Sequence, residues 1–143
     1  MRALGIDLGT KRIGLAVSDA GGVLASPLRT LERTRDLPAL HRQLAGIVDE
    51  EQVEVVVVGL PLGLDGTEGE AAAAARSEAG ALADVLRVPV VTHDERLTTV
   101  TAHQQLQAAG VDGRRRRHLV DQQAAVVLLQ SWLDAERQKD PDR

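Results

Sequence analysis

Four consecutive valines, Val55 to Val58, lie within a segment from Val53 to Leu60, and no other stretch of the 143 residues restricts the fold as strongly. β-Branched side chains favour extended backbone, and successive side chains of a strand point to opposite faces. A strand apolar at every position therefore needs cover on both sides, which predicts a central strand between two layers of helices. A chain this long holds one such core, so residues 1–137 are read as a single domain and 138–143 as a disordered tail.

The neighbouring elements follow from periodicity and turn chemistry. Apolar runs from Ala3 to Leu8 and from Ile13 to Ser18 flank Gly9-Thr10-Lys11-Arg12, a hairpin connection by length and glycine content. A third run, Val23 to Leu31, follows Gly21-Gly22 and completes an antiparallel meander. From Asp36, a capping residue, Leu37, Leu40, Leu44, Ile47 and Val48 form a helical stripe. An alanine-rich helix is expected over Glu68–Leu86, a fifth strand over Val88–His93, and a helix over Thr98–Ala109 closed by Gly110. A charged loop then leads to a last helix, His118 to Arg137, with Asp121, Ala125, Leu128, Leu129 and Trp132 on one face. The result is an α/β fold, a mixed five-stranded sheet with helices on both faces.

Three acids stand where apolar elements end. Asp7 lies in Ala3-Leu4-Gly5-Ile6-Asp7-Leu8, where an ionised carboxylate needs hydrogen bonds or a cation. Capping of the Gly9-Thr10 turn is its ordinary explanation. Glu95 follows the fifth strand in His93-Asp94-Glu95-Arg96, and alternation sends Asp94 and Glu95 to opposite faces. An exposed Glu95–Arg96 ion pair is the plain alternative. Asp121 begins the apolar stripe of the last helix, where a first-turn acid also complements the helix dipole. Three carboxylates brought to one side of a sheet would be hard oxygen ligands for Mg²⁺ or Mn²⁺, the ions of phosphodiester chemistry.

Basic residues accompany them. Lys11 and Arg12 occupy the turn after Asp7, and Arg114-Arg115-Arg116-Arg117 precede Asp121. A run of arginines is commonly a solvated loop, but here it offers bidentate donors to phosphates. The net charge of -4 gives no global attraction for nucleic acid, so any such site is local. Cysteine is absent, which excludes disulfides, thiolate zinc sites and cysteine nucleophiles. Trp132 is the only aromatic residue, which argues against reading single strands by base stacking. The histidines lack zinc spacing, and phosphate-loop, dinucleotide and nucleophile-elbow motifs are missing. No run approaches the roughly 20 apolar residues of a membrane span, so a cytoplasmic location is expected.

Taken together, Gly5-Ile6-Asp7-Leu8-Gly9-Thr10-Lys11-Arg12-Ile13-Gly14, Val58-Gly59-Leu60-Pro61 with Asp65-Gly66-Thr67-Glu68-Gly69, Asp94-Glu95-Arg96-Leu97-Thr98-Thr99 and Asp121-Gln122-Gln123-Ala124-Ala125 resemble the YqgF family. These are Holliday-junction-resolvase-like proteins and proposed pre-16S rRNA nucleases. The resemblance implies an RNase H-like fold with strand order 3-2-1-4-5. It also implies a site of Asp7, Glu95 and Asp121 holding Mg²⁺ or Mn²⁺. Lys11, Arg12, Arg96 and Arg114, Arg115, Arg116 and Arg117 would then grip the nucleic acid, either precursor 16S rRNA within the ribosomal small-subunit precursor, or branched DNA. In that order the first and fifth strands are about 9.6 Å apart, a gap for the long Glu95 side chain to close.

Two departures stand out. Gly63 and Leu64 replace an Asn and Met frequent in relatives, and a fourth acid found in better-known resolvases is missing, with Gly59 and Ala124-Ala125 at the corresponding places. Two other functions compete with a metal-dependent nuclease. One is an actin-like or sugar-kinase ATPase, which opens on a similar first strand but closes two such domains over its nucleotide. The other is a non-catalytic ribosome-assembly or nucleic-acid-binding protein.

Overall fold

The computed structural model describes residues 1–63, 65–96, 104–105, 107–110 and 113–139. Strands β1 (Ala3–Leu8), β2 (Arg12–Ser18) and β3 (Ala25–Glu32) form the antiparallel meander. Helix α1 (Leu37–Glu50), strand β4 (Val55–Leu60), helix α2 (Glu70–Val85), strand β5 (Val90–Asp94) and helix α3 (Gly113–Lys139) follow. The sheet order is β3-β2-β1-β4-β5, with β4 parallel to both β1 and β5.

The four valines divide as the sequence predicts. Val56 and Val58 pack with Leu4, Ile6, Ile13 and Leu15 under Leu40, Leu44 and Ile47 of α1 and Leu82 of α2. Val55 and Val57 face the other way, into a layer with Ala3, Ala16, Ala125, Leu129 and Trp132. Each fully buried leucine or isoleucine in these layers contributes about 1.5–3 kcal/mol of transfer free energy. Asp36 caps α1 by accepting from the Ala39 N–H at 3.0 Å, with Pro38 in the first turn.

Several boundaries differ from expectation, each for a local reason. β3 starts at Ala25 because one Asp19 carboxylate oxygen accepts from the N–H groups of both Val23 and Leu24, holding them in a turn with Gly22 at φ +70°. β5 starts at Val90 because Pro89 has no N–H, though its carbonyl still accepts from Val56. α2 starts at Glu70, after extended Gly69. The largest correction concerns the arginine run. Arg114 to Arg117 lie in the first turns of α3 and not in a loop, since arginine is a good helix former and Gly113 opens the helix. At its other end α3 runs through Lys139, past the expected start of the tail. Of the helix expected over Thr98–Ala109, residues 98–103 and 106 lie outside the described residues, while 104, 105, 107 and 108 are helical and Gly110 follows at φ +79°.

Candidate active site

Side-chain parity places Asp7 on the α3 face of β1, after Ala3 and Gly5 on the same face, while Ile6 and Leu8 point to the other. The β1–β2 turn is closed by the main chain, the Gly9 N–H donating to the Asp7 carbonyl at 3.2 Å. That bond leaves the carboxylate to the face it points into.

Glycines flank Asp7 on both neighbouring strands. Gly14 is its register partner on β2, and Gly59 lies one step beyond the Ile6–Val58 pair on β4. A Cβ at Gly14 would stand 1.9 Å from the Asp121 carbonyl oxygen, so a bare backbone there lets α3 settle against β2. A Cβ at Gly59 would stand 2.0 Å from Glu95 Oε2, so the Glu95 side chain occupies the place where any other residue would have its own. Glu95 follows β5 directly and is anchored by its N–H on the Leu60 carbonyl at 3.1 Å. It therefore spans the intervening strand β4 and meets Asp7.

The electrostatics follow from this crowding. Burial raises the Asp7 pKa, the Asp121 charge adds to the rise, and the hydrogen bond to Glu95 opposes it. Burial, the Asp7 charge and the hydrogen bond with Asp7 push Glu95 from 4.5 up to about 9, so near neutral pH the two carboxyls share a proton. Among the described residues no donor reaches the buried Glu95 Oε2.

Asp121 lies on α3 over Gly14 and is turned toward β2, where Arg12 Nε donates to its Oδ2 at 2.7 Å. Two of the three acids thus pair directly, and the third stands within electrostatic reach of Asp7 but bonds a guanidinium. Among the described residues no group of three acids or histidines is gathered tightly enough to form a ready-made ligand set. The donor chemistry nonetheless fits a hard divalent cation, since the groups are carboxylates and one buried oxygen meets no donor among those residues.

The basic residues are distributed unevenly. Lys11 is exposed on the turn. Arg96 bonds Asp94, with Nε to Oδ2 at 2.6 Å and N–H to Oδ1 at 2.9 Å, so the alternative of a Glu95–Arg96 pair gives way to Asp94–Arg96, and Glu95 meets Asp7. The backbone of α3 places Arg117 one turn before Asp121, and the side chains of Arg114–Arg117 lie outside the described residues. In the loop after β4, Asp65 accepts from the Thr67 hydroxyl and N–H at 2.7 and 3.0 Å, which lowers its pKa, while Leu64 lies outside the described residues.

One cluster has no signal in the sequence. Arg33 donates to the Gly9 carbonyl at 2.9 Å and forks onto both Glu78 oxygens at 3.1 and 2.5 Å, with buried His41 beside the same carboxylate. This network ties the far side of the β1–β2 turn to α1 and α2. It borders a cleft of about 320 Å³ on the sheet face opposite the acids.

Comparison with known proteins places this arrangement. The family model described as "RuvX: Holliday junction resolvase" matches residues 1–135. The chain belongs to the RuvX family. Within reach of this RuvX chain are relatives named "Putative pre-16S rRNA nuclease". That of Myxococcus xanthus is 49% identical over 142 residues, 99% of this chain and 93% of its own. That of Streptomyces avermitilis is 48% identical over 137 residues, 95% and 87% of the two chains. A solved structure of T. thermophilus RuvC in complex with Holliday junction substrate superimposes with a TM-score of 0.61 over 96% of each chain, at 19% identity. At that identity the likeness is one of fold, and it gives this RuvX chain the expected RNase H-like architecture.

Proposed function

We propose that this chain is a divalent-metal-dependent nuclease that hydrolyses phosphodiester bonds in the 5′-end maturation of precursor 16S rRNA, with Asp7, Glu95 and Asp121 as its catalytic and metal-holding residues. The observation that carries the reading is the Asp7–Glu95 pair, two half-buried carboxyls pressed together over Gly59, with one oxygen that meets no donor among the described residues. Carboxylates so placed repel one another and gain from a cation between them. Mg²⁺ or Mn²⁺ bound there would supply charge neutralisation at the phosphate and a more acidic water.

The chain's own groups do the remaining work. Asp7 and Glu95 hold a proton that must leave before both can act as ligands, and Asp121 is delivered from α3 by the close approach at Gly14. Lys11, Arg12 and Arg96, with Arg114, Arg115, Arg116 and Arg117 ahead of Asp121, form the proposed phosphate-binding residues. With Trp132 the single aromatic, recognition would run through phosphate geometry and duplex shape. The substrate assignment is supported by relatives near 50% identity that bear a pre-16S rRNA nuclease name. The family description favours a second reading, branched DNA. The cytoplasm is the proposed location, and among the described residues no helix is long and apolar enough to cross a membrane.

The test is cleavage of a pre-16S rRNA fragment and of a four-way DNA junction with Mn²⁺, Mg²⁺ or EDTA. Cleavage is expected with metal and should be lost in Asp7→Asn and Asp121→Asn. Equal cleavage by these variants, or no cleavage of either substrate by the unaltered protein, overturns the proposal.

A further inference from the structure

Arg12 and Gly14 are two residues apart on β2 and so share a sheet face, the one that also carries Asp7 and receives α3. Across the register Arg12 faces Glu32 of β3, yet its short hydrogen bond goes to Asp121. A guanidinium is therefore bound to one of the proposed ion ligands. A divalent cation held by the carboxylates would give Asp121 the positive charge that Arg12 now supplies, so Arg12 is free to depart when the ion arrives.

Resting on the nuclease reading above, we infer that Arg12 is an exchangeable counter-ion: it pairs with Asp121 in the ion-free protein, yields Asp121 to a divalent cation, and then pairs with a phosphate of the bound nucleic acid. The geometry permits the exchange. The Arg12 and Asp121 side chains are 39% and 20% exposed, so Arg12 can swing into water while the partly covered Asp121 passes to the ion. Arg33 is the contrast, a guanidinium locked by a fork onto Glu78 and a bond to the Gly9 carbonyl. Arg12 makes one side-chain hydrogen bond among the described residues, from the first position of a strand beside an exposed turn.

Competition for Asp121 has two linked consequences. Ion binding alone is weakened by Arg12, because the pair must open first. Ion and nucleic acid assist each other, because each favours the opened state, and this coupling is reciprocal.

The experiment uses the full chain and Arg12→Gln. Calorimetric titration with Mn²⁺, without nucleic acid, should show R12Q binding about twofold to fivefold more tightly, the scale of a part-exposed ion pair. Binding of a pre-16S rRNA fragment in Ca²⁺ should weaken in R12Q, with a salt slope smaller by about one. In the unaltered protein the Arg12 Nε–H resonance should shift when Mg²⁺ is added, a readout that stands even if R12Q folds poorly. Mn²⁺ binding by the unaltered protein with no gain in R12Q, or an Nε–H signal indifferent to Mg²⁺, overturns the exchange and leaves the nuclease reading intact. Failure of the unaltered protein to bind Mn²⁺ at all overturns both.

Discussion

Replacing Glu95 by glutamine should make the ion-free protein more stable, by an amount that grows with pH. In the folded chain Glu95 keeps its proton up to about pH 9, while its ordinary value is 4.5. Between those values the unfolded chain binds fewer protons than the folded one, so stability falls as pH rises. At about 1.4 kcal/mol per unit, the penalty accumulated by pH 7 is about 3 kcal/mol. This is a ceiling, because Asp7 shares the proton and relieves part of the cost. Against a typical stability of roughly 5–15 kcal/mol it is easily read. Glutamine keeps the shape and cannot ionise, so Glu95→Gln should match the unaltered protein near pH 4.5 and exceed it by about 2–3 kcal/mol at pH 7. The assay is urea unfolding in EDTA across pH 5 to 8. With excess Mg²⁺ the order should reverse, since only the unaltered protein gains fully from ion binding. A Glu95→Gln protein no more stable than its parent at pH 8, or a gap of the same size at pH 5 and pH 8, would refute the reasoning.

Other outcomes follow from the same contacts. Gly14→Ala should cost about 2–3 kcal/mol or more in urea unfolding and disturb the Arg12–Asp121 bond, because its methyl group would meet the Asp121 carbonyl at 1.9 Å. Gly80→Ala, in α2 with nothing within 4 Å of the added carbon, should instead stabilise by about 0.5–1 kcal/mol. Glu78→Gln should destabilise by about 1–3 kcal/mol at pH 7 by weakening the Arg33 fork. Burial raises the Glu78 pKa, but its hydrogen bonds and the charges of Arg33 and His41 outweigh burial and lower it. The stability it contributes is thus present above the ordinary value of 4.5 and lost as pH falls through the lower folded value, so the Glu78→Gln deficit should vanish in acid.

What the sequence made legible is whatever depends on period and local chemistry. The valine run specified its own two-sided burial, Asp36 marked a helix start, and alternation put Glu95 and Asp94 on opposite faces, while the choice of Glu95 as the partner of Asp7 came from the family resemblance. The arginine run was misread because a block of like charge suggests a solvated loop, whereas arginine's high helix propensity carries α3 back to Gly113. The Arg33–Glu78–His41 network was invisible because its members come from the connection after β3 and from two helices, and none marks itself by spacing. The bond between Arg12 and Asp121 depends on how closely α3 approaches β2, a distance no single segment encodes.

The two glycines beside Asp7 have a consequence for transplanting the site. The geometry here is moulded by missing methyl groups: helix backbone fills the hollow at Gly14, and the Glu95 carboxyl fills the hollow at Gly59. Grafting three acids onto another sheet of the same topology would therefore yield carboxylates held apart by whatever Cβ atoms that sheet carries. The hollows must be carved before the acids are introduced. Conversely, a methyl added at Gly14 or Gly59 would act as a graded spacer, tuning the separation of the acids without altering any of them.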